Sequence, residues 1–95
     1  MSDLRSRAEA FLLGPCIISE PGASLLRLIA RYANGKLWDD PELGNLLSRC
    51  IGTAQGEAAK REGATAGPAC HARIFYQRAA ALLQEIQAEV SGRPV

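Results

Sequence analysis

Apolar residues recur along this chain at the three-and-four spacing of amphipathic helices, in four segments parted by glycine and proline. In the first, Leu4, Ala8, Phe11 and Leu12 share one face. Ser2 stands where an N-cap belongs. Gly14-Pro15 ends the run near Leu13, because proline disfavours a helical residue before it and lacks the N–H that would extend the ladder. The apolar stretch Cys16, Ile17 and Ile18 then reads as a connector buried across the core. The second helix is capped by Ser19 or Glu20, with Pro21 in its first turn. It reaches Asn34, where Gly35 supplies a left-handed closing residue. Leu25, Leu26, Leu28, Ile29, Tyr32 and Ala33 make its stripe wide, which predicts the most central helix.

Leu37 and Trp38 are placed to fold back on the core. Asp40-Pro41 then forms an N-cap and first-turn pair, with Glu42 adding negative charge at the end the helix dipole favours. The third helix has the cleanest period: Leu43, Leu46, Leu47, Cys50, Ile51, Ala54 and Ala58, persisting to about Arg61. Gly44, Gly52 and Gly56 interrupt it at a cost of about 1 kcal/mol each. They predict either a neighbouring helix in close approach or fraying near Gly56. "GATAGPA" is the candidate hinge. The fourth helix runs from Pro68 to Ser91, with Gly92 after it. Its apolar side is Ala72, Phe75, Tyr76, Ala79, Leu82, Leu83, Ile86 and Val90.

Strand signals, repeats and low-complexity tracts are nearly absent. The expected fold is all-α, a compact bundle of four helices with a long C-terminal helix, as a single helical domain over residues 1–95. At 1.5 Å per residue the fourth helix spans roughly 35 Å, long for a chain whose radius of gyration should be about 12 to 13 Å. A stripe that outruns its own core predicts a partner.

Composition narrows the functional classes. A 95-residue chain buries about two-thirds of its unfolded surface, enough for one core. The net charge of +1 offers neither the basic surface of a nucleic-acid binder nor an acidic mimic, so nucleic acid is not an expected partner. No apolar run reaches membrane-spanning length, and the N-terminus is charged, so a cytoplasmic location is expected. Three cysteines in a reducing compartment read as free thiols.

Chemistry concentrates in "GPACHARIFYQR", which holds the only histidine. Cys16, Cys50, Cys70 and His71 make up a Cys₃His set of a kind that holds zinc, but they lack the closely spaced ligand pairs of structural zinc sites. Cys70 and His71 point about 100° apart on a helix, so they do not form a nucleophile and base. Asp39, Asp40 and Glu42 form an acidic cluster in which Asp40 and Glu42 are accounted for as a helix start, and phosphate-loop patterns are missing. No metal, cofactor or catalytic residue is expected. One electrostatic oddity remains. His71, Arg73 and Arg78 lie in the first half of the fourth helix and Glu85 and Glu89 in its second half, against the macrodipole.

The expected function is therefore a non-catalytic intracellular interaction module. An adaptor, regulator or inhibitor suits such a chain, an accessory protein of a bacterial or phage mobile element included. It would dock a second copy or another protein through Phe75, Tyr76, Leu82, Leu83 and Ile86, with Arg73 and Arg78 at the rim. A homodimer formed this way buries about 800 Å² per partner. The alternative is a binder of an anionic metabolite or nucleotide, using Arg27, Arg31, His71 and Arg73 with Tyr32, Tyr76 or Trp38 for stacking.

Overall fold

In a computed structural model, residues 4–14, 19–36 and 42–91 are described, and they form four helices. These are α1 (Leu4–Leu13), α2 (Gly22–Ala33), α3 (Leu43–Lys60) and α4 (Gly67–Ser91). The expected all-α bundle with a long last helix is what the chain adopts. The expected roles of Ser2, Cys16 to Ile18, Leu37 to Pro41 and Gly92 fall outside the described residues.

Local signals explain the ends. Glu20 caps α2 from just outside it, its Oε1 accepting from the Ser24 backbone N–H at 3.1 Å and from Ser24 Oγ at 2.6 Å. Pro21 is the N-cap residue rather than part of the first turn. At the other end Gly35 takes φ 73°. Its N–H donates to the Tyr32 carbonyl at 3.0 Å and that of Lys36 to the Arg31 carbonyl at 2.9 Å, the paired bonds of a Schellman motif. Gly67 turns the chain into α4 with φ 77°.

Three cross-helix contacts set the directions. Phe11 stacks on Phe75 while Arg7 bonds Glu85, so α1 runs antiparallel to α4. Ser48 accepts from Gln87, and Arg61 lies over the Tyr76 ring, so α3 is antiparallel to it as well. α1 packs most closely along α2, and α3 along α4; the two hairpins meet more sparsely. This leaves two looser seams, α1/α4 and α2/α3.

The core draws on all four helices, with Leu25, Ile29, Leu47, Leu83 and Ile86 its largest fully enclosed side chains. α4, at 25 residues and roughly 37 Å, fits only the 44 Å axis of a body 44 × 23 × 23 Å across. The radius of gyration is 13.2 Å. The domain lengthens to fit its helix, and the apolar stripe of α4 does not outrun its core.

The α3 glycines receive a different explanation from either expected one. A Cβ added at Gly44, Gly52 or Gly56 would meet nothing within 4 Å, and the helix continues to Lys60. They face solvent, with no neighbour in close approach and no break near Gly56.

Candidate functional site

The expected docking face is corrected by burial. Phe75 is 6% exposed, Tyr76 2%, Leu82 6%, and Leu83 and Ile86 0%. These side chains are the bundle's own core, because α1, α2 and α3 together cover the stripe that seemed to need a second molecule.

The rim expected beside that face divides. Arg73 is committed to the α3–α4 link: Nε donates to the Ala64 carbonyl at 3.0 Å, Nη1 to Gln77 Oε1 at 3.3 Å, and Nη2 to Cys70 Sγ at 3.7 Å. The expected hinge is thus fastened by a guanidinium, and Arg73 is unavailable to a ligand or partner without releasing it. Arg78 is exposed and makes no hydrogen bond or ion pair among the described residues.

The reversed charge order of α4 resolves within the chain. Glu85 accepts both Arg7 nitrogens, at 2.6 and 2.8 Å, a bidentate pair that holds its carboxyl below the usual range. Glu89 accepts the Tyr32 hydroxyl. Burial first, and then this carboxylate, push the phenol up to about 12.

The constellation of the anionic-ligand alternative is not gathered. Arg27 and Arg31 line the α2/α3 seam with Leu28, Leu46 and Cys50, and Arg27 donates to Glu20 Oε2 at 2.9 Å. His71 lies on the α1/α4 seam. Tyr32 is buried against Glu89, Tyr76 is core with Arg61 over its ring, and Trp38 is outside the described residues. The same separation applies to the Cys–His pairing. Cys50 is half-buried on α3, where burial raises its thiol above the ordinary value and keeps it a poor nucleophile. His71 is exposed across the bundle. Among the described residues no three histidine, cysteine or acidic side chains gather to hold a metal.

Open apolar surface lies at both looser seams, and that of α1/α4 holds the larger recess of those described. Two adjoining recesses, of about 140 and 410 Å³, share Phe11 and Arg78. The first is lined by Gly14, His71, Ile74 and Phe75, the second by Arg7, Ala10, Ala81, Leu82 and Glu85. The cleft arises because α1 has only 10 residues against the 25 of α4 and ends beside Phe75. The first turns of α4 are left beyond it. Phe11 and Phe75 stack with centroids 5.3 Å apart and form its wall. Leu13, 88% exposed, precedes Gly14 at its mouth.

Of the residues lining this cleft, sequence reasoning named Phe75, Arg78 and Leu82 for a partner-facing side of α4 and His71 for a ligand, but it read Phe11 only as part of the apolar face of α1 and gave no role to Ile74 and Ala81. Two signals marked them. Phe11-Leu12-Leu13 is a run of three apolar residues that one helical face cannot hold. Ile74 and Ala81 stand seven apart, off the stripe that carries Ala72, Phe75, Tyr76 and Ala79. Comparisons with protein-family models, with curated proteins and with solved structures found no match, so the fold and this cleft rest on the chain itself.

Proposed function

We propose that this chain is a non-catalytic intracellular interaction module, of adaptor, regulator or inhibitor type, that receives a helix of another protein in the cleft between α1 and α4. One observation carries the reading: two adjoining recesses between α1 and α4 form an apolar cleft walled by Phe11, Ile74 and Phe75. Its long, shallow form suits a row of side chains from a helix laid in a groove. The placing of Cys50 and His71 on different seams supports the non-catalytic half of the proposal. No helix among the described residues is long and apolar enough to cross a membrane.

The test is site-specific photo-crosslinking in the native cell. A photoreactive residue at Ala81, in the cleft, should yield a discrete adduct with another protein. The same group at Gln55, exposed on α3, should not. Adducts at both positions alike, or at neither, would overturn the proposal. A self-adduct from Ala81 would name a second copy as the occupant.

A further inference from the structure

The cleft constrains the chemistry of what enters it, and this deepening rests on the docking reading above. Its ions are unequal. Arg7 and Glu85 consume one another in a bidentate pair. Arg78, which lines both recesses, has no partner among the described residues. The uncommitted charge at the middle of an apolar cleft is therefore a guanidinium, whose planar fork matches a carboxylate. Covering Arg78 with an apolar segment would desolvate a cation without compensation, which strongly opposes binding.

Spacing adds a second constraint. Ile74 and Ala81, one in each recess, lie two helical turns apart on either side of Arg78, about 10.5 Å along the axis. A helix in the cleft would present apolar residues at i and i+7 and an acid at i+3 or i+4. A second copy fits poorly. A two-fold axis through the cleft sets Arg78 against its own image, and the cleft's acid, Glu85, is already held by Arg7. We propose that the α1/α4 cleft recognises an acidic amphipathic helix of a partner protein, with a carboxylate paired to Arg78 between two apolar side chains.

The experiment uses the full chain and fluorescein-labelled synthetic helical peptides of about 15 residues. Each has leucine at i and i+7, and glutamate, glutamine or lysine at i+3 and i+4. Binding is read by fluorescence polarisation, with circular dichroism confirming that the variants fold. The glutamate peptide should bind most tightly, and added salt should weaken it. Arg78→Gln should lower its affinity about tenfold, while Arg78→Glu should transfer the preference to the lysine peptide. Equal binding of the three peptides, or indifference to Arg78→Gln, would overturn the acidic assignment and leave the cleft as a docking groove. If no peptide binds, or if Ala81 crosslinks only to a second copy, the acidic partner is also overturned. Only adducts at both Ala81 and Gln55 alike, or at neither, reach the docking reading itself.

Discussion

Replacing Gly52 with alanine should make this protein more stable. Glycine in a helix interior is about 1 kcal/mol less favourable than alanine, because the unfolded chain has more freedom to lose. The gain appears only where the new methyl meets no obstacle and the backbone is one that alanine adopts. Both conditions hold at Gly52, which lies mid-helix in α3 without positive φ, and whose added Cβ meets nothing within 4 Å. Gly56 satisfies them equally. Gly44 lies in the first turn, where the helix penalty is smaller, so its gain should be less. For a chain of this length about 1 kcal/mol moves the melting temperature by roughly 4 to 8 °C. Gly52→Ala should approach that shift in a thermal melt followed by circular dichroism, and Gly52→Ala with Gly56→Ala should come close to doubling it. A lower melting temperature for the single variant would refute the reasoning, since it requires something packed against this face of α3.

Three further outcomes follow from the packing. Leu83→Ala should cost about 2 to 5 kcal/mol, measured by urea unfolding, since this fully buried side chain leaves a cavity; a loss below 1 kcal/mol would show that the α4 stripe is not core. Tyr32 has a folded-state pKa of about 12 against an ordinary value of 10.0. Its neutral form is favoured by folding, so that stability is full below pH 10 and lost as pH rises from there through about 12. Tyr32→Phe should flatten that part of the stability profile, and an unchanged profile would contradict the burial of the phenol. Arg73→Ala frees the Ala64 carbonyl, so limited proteolysis between residues 62 and 67 should speed up several-fold with the thermal melt little changed.

The helices were legible because each is a local pattern. Four amphipathic periods, Gly35 as a closing residue and the glycine–proline start of α4 all act over a few residues, and the structure keeps them. The reach of α4 was legible as length, and its consequence was not. Whether Phe75, Tyr76, Leu82, Leu83 and Ile86 face a partner or the chain's own helices depends on how closely α1, α2 and α3 settle around them, and no single stripe records that. The same holds for charge. The disorder of signs along α4 is real in the sequence, but only the antiparallel run of α1 brings Arg7 to Glu85, and only the link after α3 takes Arg73.

The sequence by itself determined an all-α chain of four helices, because periodicity, caps and breakers act between neighbours in the chain. Tertiary structure alone decided which polar groups are spent and which surface stays open. The α1/α4 cleft exists because a helix of 10 residues is laid against one of 25. Arg78 stands out in it because Arg7 and Glu85, which line the same recess, pair with one another across helices.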